Sequence, residues 1–163
     1  MTTQILTASK TNKGFLFYLC FLFFTIIVLL LQEGTAEALC IKDKKANLRS
    51  GPGKHNEKLW TVLKYMPLRQ LGRQGNWLKV KDLDSDIYWV HRKLTTKAYM
   101  CAVIKKDKTS LRKKPSMKSP QVEWSPINKF FSMKVIKIKG AWVRIQDATG
   151  DRAWIKRSQV WVQ

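Results

Sequence analysis

At 163 residues the chain has room for one ordinary domain or two very small ones, which excludes a large multidomain assembly. Lysine and arginine number 31 against 11 aspartates and glutamates, a formal net charge of +20. A field of that sign attracts polyanions or serves solubility alone, and two histidines, His55 and His91, leave little for metal chemistry.

The first 38 residues differ from the rest. A polar start with Lys10 and Lys13 leads into "GFLFYLCFLFFTIIVLLL", Gly14 to Leu31, which carries no charge, and small residues follow at Ala36 and Ala38. This is the layout of a secretory signal peptide over residues 1–38, with cleavage expected after Ala38. The 18-residue run also approaches the length of a membrane anchor over 14–31, the alternative reading. Lipoprotein processing at Cys40 is a third option, disfavoured because Leu39 is not the small residue expected before the modified cysteine. Cleavage removes two lysines and two glutamates, so the net charge is unchanged. The expected location is exported, periplasmic or secreted, or outside the cytoplasm on an inner-membrane anchor.

Beyond Ala38 the dominant period is two. "NWLKVKD" (76–82) alternates imperfectly, and "MKVIKIKGAWVRIQD" (133–147) alternates apolar and basic residues on both sides of Lys139-Gly140. Short antiparallel strands with tight turns follow, and with them an all-β class. The chain then repeats itself. Ala46–Pro52 matches Thr109–Pro115 at an offset of 63, preserving Leu48/Leu111, Arg49/Arg112 and Pro52/Pro115. Trp60 matches Trp124 at 64; Trp77 matches Trp142, and Trp89 matches Trp154, at 65. Offsets that hold inside strands and drift in loops indicate a duplicated fold.

The residues that carry the repeat, "ANLRSGPG", "GNWLKV", the acidic turn "KDLDSD" and "YWVHRKLT", resemble the bacterial SH3-like domain. The resemblance covers residues 40–96 well and 101–163 less well, since "SLRKKPS" replaces Gly51 and Gly53, and "DRAWI" departs from the usual closing strand. It implies two tandem small SH3-like β-barrels, domain 1 over 39–96 and domain 2 over 97–163, with the second copy's first loop remodelled. Such domains commonly stand behind a signal peptide and are often assigned to cell-wall or periplasmic binding.

Within that frame, Trp77, Trp142, Trp89 and Trp154 are expected in core or cross-strand packing, and Trp60, Trp124 and Trp161 are more available to a ligand. Gly51 and Gly53, flanking Pro52, suggest a turn with φ values a side chain resists. Arg49 and Arg112 are expected on exposed strand ends, as structural residues or as anion contacts. Cys40 and Cys101, near the start of each copy, are candidates for a disulfide in an oxidising compartment; separate buried thiols are the rival. "KLTTKAYM", 93–100, lacks glycine and proline and is too short for a flexible tether, so the copies are expected to pack together.

Catalytic chemistry finds no support in these residues. There is no Cys-x-x-Cys or His-x-x-x-His spacing, no phosphate-cradling glycine loop, and no placement of a cysteine beside a histidine. Asp82, Asp84 and Asp86 have the spacing that opens a calcium loop, without its downstream glycine and glutamate, and are expected to form a solvated hairpin turn. No enzyme activity and no cofactor are therefore expected. The function expected is a noncatalytic binding module for cell-wall glycan (peptidoglycan) or another anionic envelope polymer, with Arg49, Trp60, Arg112 and Trp124 as ligand contacts. The alternative is a structural or adaptor protein docking an envelope protein through an edge strand. Nucleic-acid binding is disfavoured because export removes the chain from nucleic acid. A membrane partner follows only if the N-terminal segment stays uncleaved.

Overall fold

The computed structural model describes residues 37–163, so the signal and anchor readings of the N-terminal run fall outside the described residues. Ala38 is exposed and stands opposite Arg69 in the first strand.

Two antiparallel sheets account for the rest, one for each copy. In the first copy β1 (Glu37–Ile41), β2 (Lys45–Arg49), β3 (Lys58–Leu63), β4 (Pro67–Gln74), β5 (Trp77–Lys81), β6 (Ile87–His91) and β7 (Thr95–Thr96) are ordered β3-β2-β6-β5-β4-β1-β7. In the second, β8 (Cys101–Ile104), β9 (Ser132–Lys139), β10 (Trp142–Gln146), β11 (Arg152–Lys156) and β12 (Val160–Val162) are ordered β11-β10-β9-β8-β12. Period-two patterning builds both. Leu78 and Val80 of β5, and Val143 and Ile145 of β10, point inward and are buried, whereas the residues between them are not. Gly75 and Gly140 take the left-handed φ that tightens the β4–β5 and β9–β10 hairpins, at 55° and 54°.

The duplication is visible hydrogen bond by hydrogen bond. Ser50 N–H to Glu57 O, Gly53 N–H to Gly51 O and Asn56 N–H to Gly53 O recur as Lys113 to Pro120, Ser116 to Lys114 and Ser119 to Ser116, each shifted by 63. The first loop of the second copy is therefore not remodelled, contrary to the expectation from its lysines. The reason lies in paired side chains. A Cβ at Gly51 would stand 2.6 Å from the Asn56 side chain, and one at Gly53 would strike His55. The second copy has Ser119 in place of Asn56, and its small side chain leaves room for the Cβ of Lys114; its Oγ accepts from Lys114 N–H. Gly51 is thus favoured by close approach, whereas the main neighbour at Gly53 is the exposed His55 ring. Their φ angles lie outside the left-handed region, which corrects the turn reading.

Past this loop the two copies diverge. β3 pairs with β2 from Lys45↔Leu63 to Arg49↔Lys58. Its counterpart is reduced to the bridges Thr109↔Ile127 and Arg112↔Gln121, because Pro120 and Pro126 have no N–H to give to a ladder. Leu111 N–H turns instead to the Ser125 hydroxyl at 2.9 Å.

The copies pack as neighbours, as the short connection requires. Val103 of β8 is buried in the first copy's core, and Phe130 and Trp161 pack against that core from the second. Cys40 and Cys101 form a disulfide with Cα atoms 5.9 Å apart, flanked by Tyr65 and Tyr99 whose rings meet edge to face. Ser132 Oγ donates to Lys64 O at 2.8 Å, and Lys129 pairs with Asp84.

Candidate binding groove

β2 touches β6 at a single register pair, Arg49↔Trp89, and then parts from it. The gap is a groove of about 640 Å³ whose apolar wall is Ala46, Trp77 and Leu94. Four cations stand around it: Lys45 and Arg49 from β2, Lys54 from the loop, and Lys93 from the 3-10 turn after β6. No carboxylate lines it. Trp77 meets His91 edge to face with centroids 5.3 Å apart, the cross-strand packing expected of it, and stays half-buried. His91 Nδ1 accepts from Lys93 N–H, which makes Nε2 the donor of the neutral ring. The Thr61 hydroxyl donates to Asn47 Oδ1 at 3.0 Å, and both residues line the groove. The groove thus combines a partly exposed indole, polar side chains and uncompensated positive charge, a combination suited to a ring-bearing ligand with carboxylates.

Of the residues singled out from the sequence, Arg49 lines this groove. Its Nη1 donates to Asn56 O at 2.6 Å, and Arg112 does the same to Ser119 O at 2.8 Å. Both are half-buried ties across their loops, not exposed strand ends. Trp60 lies against the first core, edge to face with Phe130 at 5.0 Å. Trp124 packs on the second core, 5.9 Å from Phe131. Consecutive phenylalanines of the second copy thus contact one tryptophan in each; both indoles stay half-buried, and neither lines the groove. Lys45, Lys54, Lys93 and His91 were missed in the sequence; their signal, the divergence of β2 from β6, is a property of register.

The acidic turn also differs from its expectation. Asp82 is 2% exposed, and its Oδ1 accepts from Asp84 and Asp86 N–H at 3.0 Å each. It organises the turn from inside, and burial pushes its carboxyl up from the ordinary value. Asp147 repeats the device, accepting from the N–H groups of Thr149, Gly150 and Asp151. Among the described residues no cluster of His, Cys, Asp or Glu is arranged to hold a metal ion.

A family model described as bacterial SH3 domain matches residues 42–97 and again 105–162. The chain belongs to the bacterial SH3 domain family. No curated protein matches it. Among solved structures it is similar to NlpC2 of Trichomonas vaginalis, at 10% identity and a TM-score of 0.35 over 78% of this chain and 48% of that one. It is similar to NlpC1 of the same organism at 10% identity and 0.36, over 79% and 46%. A Bacillus cereus NlpC/P60 family protein matches at 15% identity and 0.34, over 78% and 56%. The chain spans about half the length of these proteins, and nothing further follows from likenesses of this size.

Proposed function

We propose that this tandem bacterial SH3 protein is an exported, noncatalytic binding module that holds cell-wall glycan, with its acidic peptide stems, in the groove of the first copy. The observation that carries the reading is the groove itself: Trp77 and His91 beside four cations, with no carboxylate among the lining residues. The uncharged run from Gly14 to Leu31 supports export, and family membership supports a wall ligand. The second reading, an adaptor docking an envelope protein, is favoured by β3, an edge strand with Leu59 and Leu63 exposed.

Cosedimentation of the full chain in mild detergent with peptidoglycan sacculi stripped of attached phosphate polymers tests the first reading. Binding is expected to survive high salt, to exceed that of an unrelated protein of similar charge, and to fall about tenfold on Trp77→Ala, the loss of one stacked ring. Trp142→Ala should leave it unchanged. Binding that disappears with salt, or equals the control, defeats the glycan reading and returns the question to a protein partner.

A further inference from the structure

The outer face of the second sheet is a separate surface. β9, β10 and β11 are in register so that three rows of outward side chains cross them. The rows are Lys139, Trp142, Lys156; Lys137, Arg144, Trp154; and Lys134, Gln146, Arg152. The bulge that inserts Ile136 opposite the Arg144/Ile145 step is what puts Lys137 and Lys139 on the same side as Lys134. Six of the nine positions are cationic and none is acidic. The ion pairs among the described residues, Lys97–Glu37 and Lys129–Asp84, involve none of them. Lys134 is partly occupied, its Nζ 5.1 Å above the Tyr99 ring. Asp147 and Asp151, which adjoin Gln146 and Arg152 of the third row in sequence, lie at the hairpin tip, where Asp147 is engaged with backbone N–H groups.

The same rows in the first copy read Gln74, Trp77, His91; Gly72, Lys79, Trp89; and Arg69, Lys81, Ile87. Three cations stand there against six. The indoles are common to both copies, and the added charge belongs to the second.

We propose that this face binds a linear sugar-bearing polyol phosphate, a phosphodiester chain of the kind that lies outside the cytoplasm. Three strands span about 10 Å, and alternate residues along a strand repeat every 6–7 Å or so, which fits one extended chain with one charge per repeat better than a plane of headgroups. The Lys139–Lys156 and Lys137–Arg144 rows meet the phosphates, and the half-buried rings of Trp142 and Trp154 lie against the sugars. The groove of the first copy takes no part, so this inference rests on the export proposed above and not on the glycan reading.

The test is a fluorescence-anisotropy titration of the full chain in mild detergent with a synthetic glycosylated oligo(glycerol phosphate). Its unglycosylated form, single-stranded DNA of equal phosphate count, and vesicles of anionic phospholipid are run alongside. The glycosylated oligomer should bind tightest. Lys137→Glu/Lys139→Glu/Lys156→Glu should weaken it at least tenfold and flatten the salt dependence, whereas Lys113→Glu/Lys114→Glu/Lys118→Glu, an equal charge change on the exposed loop, should weaken it less than threefold. Trp142→Ala should remove the preference for the glycosylated form, and Trp77→Ala should change nothing. Equal losses from the two triple variants overturn the proposal in favour of unspecific charge. Tighter binding of DNA overturns it in favour of a nucleic acid, and tighter binding of vesicles in favour of a membrane surface.

Discussion

In the first copy β3 is a six-residue strand laddered to β2, and the divergence of β2 from β6 opens a groove lined by Trp77, His91 and Lys93. In the second the corresponding stretch is irregular around Pro120 and Pro126, Trp142 faces Lys156 across the strands, and a serine, Ser158, stands where the first copy has Lys93. The cavity near that position is lined by Lys105–Thr109, Ser158 and Gln159, with no aromatic ring and with Asp107 among its cations. The framework that ties the backbone is nevertheless common: the Arg49 and Arg112 loop ties, the Asp82 and Asp147 turns, and left-handed Tyr65 and Phe130 before the next strand. Duplication kept the parts that hold backbone polar groups and changed the parts that face solvent. The first copy carries the groove of mixed character, the second the more basic sheet face.

The comparison breaks most severely at the joint. The disulfide closes a separation of 61 residues, and in the chain-entropy account a link of that span stabilises by about 4 kcal/mol. Cys40→Ala/Cys101→Ala should lose about that much in urea unfolding, with matched losses reported by probes in each copy, because Val103 and Phe130 tie the two cores together. A loss below about 1 kcal/mol, or one confined to a single copy, would show that the copies fold as independent bodies.

A sharper test concerns the loop that the two copies share. Gly51→Ala should cost about 1–3 kcal/mol through crowding against Asn56, and Asn56→Ser, which imitates Ser119, should restore most of it. Lys114→Ala, at the equivalent position with its Cβ already accommodated, should stay within about 0.5 kcal/mol of the parent. Failure of the Asn56→Ser rescue in a denaturation series would mean that Gly51 serves some need other than space.

Much of the framework was legible in the sequence because strands announce themselves by alternation and duplicates by offset. The shift from 63 to 65 marks a two-residue insertion. The hydrogen-bonded equivalences hold at 63 through Glu57/Pro120 and at 65 from Val62/Ile127 onward, so the match of Trp60 to Trp124 at 64 falls in the middle of the slip. That is why those two indoles look less bound to the pattern; each stands beside a phenylalanine of the second copy. The groove was not legible, since it depends on two strands touching once and then separating. The basic rows were not legible either, because without the bulge at Ile136 the lysines of β9 would be divided between opposite faces.

The smallest expected effect lies at Asp82. Burial is the main cause of its raised carboxyl pKa, with the neighbouring Asp86 and Asp84 carboxylates adding to it, against the lowering effect of the two backbone N–H groups it accepts. In the unfolded chain the group titrates near the ordinary value of 3.8, so between that value and the higher folded one the native state holds a proton that the unfolded state has released. Protonation therefore favours folding, fully so below the unfolded pKa, and that contribution is lost as pH rises through the folded one. Asp82→Asn does not titrate and retains one acceptor oxygen for the turn. Subtracting its unfolding free energy from the parent's should give a difference that declines as pH rises above the unfolded value of 3.8, the opposite slope to that of an ion-paired carboxylate. A difference that rises over that range would mean that the backbone donors outweigh burial. Asp82 would then be held charged inside a hairpin whose other carboxylates, Asp84 and Asp86, remain exposed to solvent.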